Sequence, residues 1–170
     1  MKKIFVLAPI ALVMALAGNA QAATQADVML QGSIVDTTCE VTANNGAAAL
    51  NVGSFGKTTF TTAKAQVGSE PLVVTLANCN EDEIGALQVT GLVVGADNTI
   101  FVNDISQPAG FMLKEADGTT QVANGTSIPV TANATGNLSY SFEAGMAVFN
   151  TASVIPGAYN APIKISYVNN

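Results

Sequence analysis

From Leu72 to the C-terminus, apolar residues fall at every second position in short stretches that break at turn residues, and no long segment repeats them at helical spacing. Successive side chains of a strand point to opposite faces, so this alternation predicts strands with one buried face. The stretches are Leu72 to Ala77, Ala86 to Val94, Gly110 to Lys114, Thr120 to Val122, Leu138 to Phe149 and Tyr159 to Val168, with an earlier one at Val28 to Val35. Reversals are expected at Asn44-Asn45-Gly46, Ala96-Asp97-Asn98 and Pro156-Gly157, and Asp117-Gly118 reads as the tip of a hairpin. Short strands of this kind need a second layer against which to bury their apolar face. The pattern therefore predicts an all-β domain, a sandwich of two antiparallel sheets, with a closed barrel as the other architecture that fits. No internal repeat is present, and Ala47-Ala48-Ala49 and the Asn-rich stretches read as loops within one domain.

The N-terminus follows a different logic. Lys2 and Lys3 precede an apolar run from Ile4 to Ala17, and the run closes on Ala20-Gln21-Ala22. A charged start, a short apolar stretch and an Ala-x-Ala ending describe a secretory signal peptide, residues 1–22, with cleavage after Ala22. The run is shorter than the ~20 residues that span a bilayer as a helix. Export bears on Cys39 and Cys79, the only cysteines. In an oxidising compartment one intramolecular disulfide is the expected state. A metal pair or a redox pair is the alternative, but there is no CxxC spacing and no histidine to complete a metal site.

Charge and chemistry narrow the function further. Lys and Arg total 6 against 12 Asp and Glu, two of those lysines lie in the leader, and the formal net charge is −6. Such a chain repels nucleic acid and anionic headgroups, so no nucleic acid is expected as a partner. With no histidine in the sequence, Ser-His-Asp and His-metal catalysis are excluded. Glu81, Asp82 and Glu83 form the one tight group of carboxylates, expected as a solvated loop because it lacks the ligand spacing of a calcium loop. Asn124, Asn133 and Asn137 match N-x-Ser/Thr and are expected in loops and strands. Phe101, Phe111, Phe142 and Phe149 are expected in the core, with a sugar-binding face as the alternative. No cofactor, no metal and no catalytic residue is expected; the chain is not read as an enzyme.

Both ends of the exported chain are strand-like. Ala26, Val28, Leu30, Gly32 and Ile34 share one face of an extended segment, and Tyr159, Ala161, Ile163, Ile165 and Tyr167 share one face of another. A strand at the end of a chain leaves an outer edge for something to pair. Gly32-x-Ile34, with Cys39 seven residues after the glycine, is followed by Leu72-x-Val74-x-Leu76-x-Asn78-Cys79 and by Gly157-x-Tyr159-x-Ala161 leading to Tyr167. In these features the chain resembles the type 1 fimbrial (chaperone-usher) pilins over essentially its whole exported length.

The resemblance implies an incomplete immunoglobulin-like β-sandwich completed by a donor strand from a neighbouring subunit. On that basis residues 23–31 are the N-terminal donor-strand extension and residues 32–170 the pilin domain. Ala26, Val28, Leu30, Gly32 and Ile34 are then the donor residues, and Tyr159, Ile163, Ile165 and Tyr167 mark a C-terminal strand that contacts the chaperone. The segment from Val28 to Ile34 as the domain's own first strand is the competing reading. The implied partners are copies of the chain, other fimbrial subunits, a periplasmic chaperone, an outer-membrane usher and a host receptor. The implied location is a fimbrium on the cell surface, reached through the periplasm. The implied function is a structural subunit of a fimbria that supports cell adhesion. A single-domain fimbrial adhesin is the alternative, and a small periplasmic enzyme on a self-complete sandwich is a third reading.

Overall fold

In a computed structural model, residues 39–95 and 97–169 are described. The leader, the Val28 to Val35 stretch and the expected donor residues Ala26, Val28, Leu30, Gly32 and Ile34 lie outside the described residues. From Cys39 onward the alternating stretches become strands: β1 (Glu40–Ala43), β2 (Val67–Ala77), β3 (Ile84–Val94), β4 (Asp97–Val102), β5 (Ala109–Lys114), β6 (Ser127–Thr131), β7 (Leu138–Val148) and β8 (Ile163–Asn169). Every pairing among them is antiparallel.

The strands divide into two layers. One runs β1-β2-β7-β5-β4 and ends on the last residues of β3; the other consists of the first part of β3 flanked by β6 and β8. The long strand β3 belongs to both, pairing with β6 up to Gln88, with β8 up to Gly91 and with β4 from Leu92. The fold is therefore the expected sandwich, joined along one side by a shared strand. Leu72, Val74 and Leu76 of β2 and Phe142 of β7 meet Leu87 and Val89 of β3 and Ile128 of β6 in the main core. At ~25 cal/mol per Å² of apolar surface, this interdigitation is the chief source of stability.

Several expectations shift by a few residues. Thr120 to Val122 does not form a strand; it contributes only a bridge between Lys114 and Gln121. The turn before it is as expected, because Asp117 accepts hydrogen bonds from the Thr119 and Thr120 amides, each at 2.8 Å. The Thr120 hydroxyl and these amides hold the Asp117 carboxyl below the usual carboxylate range. The last strand begins at Ile163 and not at Tyr159. The reversal expected at 96–98 falls earlier, around Gly95 at φ 58°, and Asp97 already pairs with Val94.

Gly110 lies in β5 between β7 and β4, where a Cβ would run into the Phe101 carbonyl and the side chains of Ile100 and Val102. Both neighbours are fixed ladder elements, so Gly110→Ala is expected to destabilise the domain by about 1–3 kcal/mol. A thermal melt checks this; an unchanged melting temperature would show that the sheet yields freely here.

Candidate functional site

The two layers are unequal, and the inequality makes the site. The inner face of the larger layer extends past β8, where the smaller layer has no strand to lay over it among the described residues. Ala109, Phe111 and Leu113 of β5 alternate inward, as do Ala144, Met146 and Val148 of β7, and the half-buried Phe111 and Met146 lie in this uncovered strip.

Two adjoining cavities occupy the strip, of about 560 Å³ and about 440 Å³. The larger is floored by Leu72, Phe101, Leu113 and Ala144, the smaller by Ala109, Met146 and Val148. They share Leu50, Val52, Phe111 and Tyr159, so together they form one groove with a waist. One wall is the irregular chain after β1 and the other is residues 154–165. Among the described residues the only charged side chain on the lining is Lys57, while Asn44, Asn51, Asn103 and Asn160 are polar.

The edges of the groove are as telling as its floor. Strand β8 pairs with β3 and β1 pairs with β2, and among the described residues no strand pairs with the other edge of either. An edge of this kind presents free backbone donors and acceptors, and strands add to it readily. An apolar trough beside an open strand edge is suited to an extended segment whose alternate side chains are apolar. Main-chain hydrogen bonds then supply affinity and the cavities select side chains.

The structure distributes the expected site residues unevenly. Ile163 and Ile165 of β8 line the larger cavity and are half-buried. Tyr159 precedes β8, stands at the waist and donates its hydroxyl to the Ile155 carbonyl at 2.6 Å. Tyr167 is turned inward and buried, away from the groove lining. Cys39 and Cys79 are joined, with S–S 2.06 Å, and tie the start of β1 to the end of β2.

The acidic group separates. Glu81 and Asp82 are exposed, as a solvated loop requires, but Glu83 is buried at 8% exposure, contrary to expectation. Its Oε1 accepts a hydrogen bond from the Tyr167 hydroxyl at 3.1 Å and its Oε2 accepts one from the Asn80 amide at 2.8 Å. Nothing in the local spacing marks Glu83 from its neighbours, because the phenol that receives it comes from the far end of the chain.

Phe142 is fully buried, and Phe101, although it lies under the groove floor beside Phe111, has no exposed surface, so neither offers a sugar-binding face. Asn124 accepts a hydrogen bond from the Gly91 amide, and Asn133 organises the turn before β7 by accepting from the Thr135 amide and hydroxyl. No cluster of three or more His, Cys, Asp or Glu that could hold a metal occurs among the described residues.

Burial, the Glu83 hydrogen bond and the Glu83 charge push the Tyr167 phenol up from an ordinary 10.0 to about 12. A raised pKa means that the folded chain holds this proton more tightly than the unfolded chain. Its contribution to stability is complete below pH 10 and is lost as pH rises through about 12. Melting curves between those values are expected to fall more steeply for the native chain than for Tyr167→Phe. Parallel curves would show that the phenol is not held in this way.

No family model and no curated protein sequence matches the chain. Among solved structures it is similar to a chaperone-usher pilus, with TM-score 0.63 and 16% identity over 87% of this chain and 97% of the other. It is also similar to the P pilus rod subunit PapA, with TM-score 0.65 and 14% identity over 79% of this chain and 100% of the other. An antigen and type I fimbria protein of Burkholderia pseudomallei superposes with TM-score 0.58 and 18% identity over 77% of this chain and 98% of the other. The chain has the fold of chaperone-usher pilus subunits.

Proposed function

We propose that this chain is a non-enzymatic structural subunit of a chaperone-usher fimbria, exported through the periplasm and polymerised on the cell surface by strand donation. The supporting observation is the apolar strip that no described strand covers, beside the edge of β8 that no other described strand pairs. A sandwich with such a strip is short of one strand, and a segment from a second molecule supplies it. The donor is the segment before Cys39, with Ala26, Val28, Leu30, Gly32 and Ile34 entering the groove from one side. A periplasmic chaperone protects the groove before assembly, with β8 and Tyr159 as its contact region, and an outer-membrane usher directs the exchange. The lack of histidine, which excludes Ser-His-Asp and His-metal chemistry, fits a role without turnover.

Site-directed crosslinking tests the assignment. Copies carrying Leu30→Cys are co-expressed with copies carrying Ala161→Cys or Ile165→Cys under oxidising conditions. Crosslinks between two different copies are expected, and they are lost when the donor copy also carries Val28→Asp. If a copy that carries both Leu30→Cys and Ile165→Cys crosslinks only within itself, the N-terminal segment is instead the domain's own strand.

A further inference from the structure

The alternation that makes β8 a strand fixes which face it buries but leaves its register open in steps of two. Ile163, Ile165 and Tyr167 lie on the core side, paired with Gly91, Val89 and Leu87 of β3. A slip of one residue would turn these side chains out to solvent, whereas a slip of two keeps the apolar row inward. No hairpin turn sets the register either. Strand β3 is remote in sequence, and residues 149–162, which precede β8, contain only a short 3-10 turn.

One group of side chains does discriminate between these registers. Glu83 and Gly85 alternate onto the same face of the chain as Leu87, and Glu83 is bonded to Tyr167 as described above. The disulfide sulfur of Cys39 lies 3.7 Å from the same Oε1. A Cβ on Gly85 would run into the Tyr167 hydroxyl and ring, so the missing side chain makes the seat in which that ring lies.

We propose that Glu83 and Tyr167 form a register lock for the C-terminal strand, with Glu83 as a positioning residue and Gly85 as the seat. One slip of two carries the phenol beyond Glu83 and sets Ile165 opposite Leu87; the other draws Asn169 inward. In either case a buried carboxylate loses a hydrogen-bond donor, which costs more than the loss of an exposed bond. The lock therefore decides which β8 residues stand in the groove wall. That consequence for assembly rests on the strand-acceptor reading, while the lock itself concerns one chain alone.

Cysteine pairs on the opposite, outward face of β3 and β8 read the register in the full chain. Gln88→Cys with Ser166→Cys reports the observed pairing; Gln88→Cys with Lys164→Cys or with Val168→Cys reports the two slips. With Glu83 and Tyr167 intact, only the first pair is expected to crosslink. In Tyr167→Phe and in Glu83→Ala, the slipped species are expected to rise about tenfold or more, as loss of a hydrogen bond to a charged group implies. Glu83→Gln keeps an acceptor for the phenol and is expected to stay near the native pattern. If a variant accumulates poorly, adding the Gln88→Cys, Ser166→Cys pair should restore its yield. A native crosslink pattern in Tyr167→Phe and Glu83→Ala, or failure of that rescue, overturns the lock. These pairs lie within one chain, so the outcome does not depend on whether copies assemble.

Discussion

Val28→Asp and Leu30→Asp are each expected to abolish fibre assembly while leaving the acceptor domain folded. Burying a valine or leucine side chain contributes ~1.5 to 3 kcal/mol, and placing a carboxylate in an apolar groove without a partner adds a penalty of several more. At 1.4 kcal/mol per tenfold, strand affinity should fall by about two orders of magnitude or more. Among the described residues the groove lining offers one charged side chain, Lys57, and it lines only the smaller cavity. The folding core is supplied by other strands, through Leu72, Val74, Phe142, Leu87 and Val89, so the domain should melt as the native one does. Fibre length on cells and the melting temperature of the isolated variants separate the two effects. Fibres of normal length from both variants would remove Val28 and Leu30 from the donor role.

The second large effect concerns the disulfide. Cys39 and Cys79 are separated by 40 residues. A crosslink closing a loop of that size stabilises a domain by about 4 kcal/mol on the chain-entropy model, against a net stability of about 5–15 kcal/mol for a typical protein. Replacing both cysteines by alanine is therefore expected to lower the melting temperature by roughly 10 °C or more. The loss should be concentrated where β1 leaves β2, since the bridge anchors the start of β1 and abuts the Glu83 carboxylate. An unchanged melting temperature in the double variant would mean that the β1–β2 ladder holds that edge unaided.

The architecture was legible in the sequence wherever strands are long and alternate cleanly. Leu72 to Ala77, Ala86 to Val94 and Leu138 to Phe149 fall within or nearly coincide with β2, β3 and β7. The strands that escaped notice each lack that signal for a physical reason. In β6 the run Ser127 to Thr131 contains Pro129, which removes a ladder donor and weakens the pattern; β6 is an edge strand, the position where proline is tolerated. In β4 the Asp97-Asn98 pair reads as a turn, but it opens a strand because the reversal is made at Gly95. The short β1 is defined by its pairing with β2 and has too few residues to show a period.

The groove was only half legible. Ile163 and Ile165 could be named because they alternate in a terminal strand. The floor could not, because Phe111 and Met146 look like any core residues until the lack of a covering strand among the described residues leaves them half-buried. Tyr159 belongs to the same alternating row, yet it stands outside the ladder at the waist. Glu83 reads as a solvated loop carboxylate because its burial depends on Tyr167, 84 positions away.

The measurement that bears most directly on strand acceptance is the thermal melt of the disulfide-bonded domain lacking residues 23–31, with and without a peptide spanning residues 23–36. A groove that takes this strand from outside gives a melting temperature that rises strongly with peptide, and rises further with its concentration. A melt that the peptide does not move, from a domain already stable alone, would mean that the sandwich is self-sufficient and would contradict assembly by strand donation.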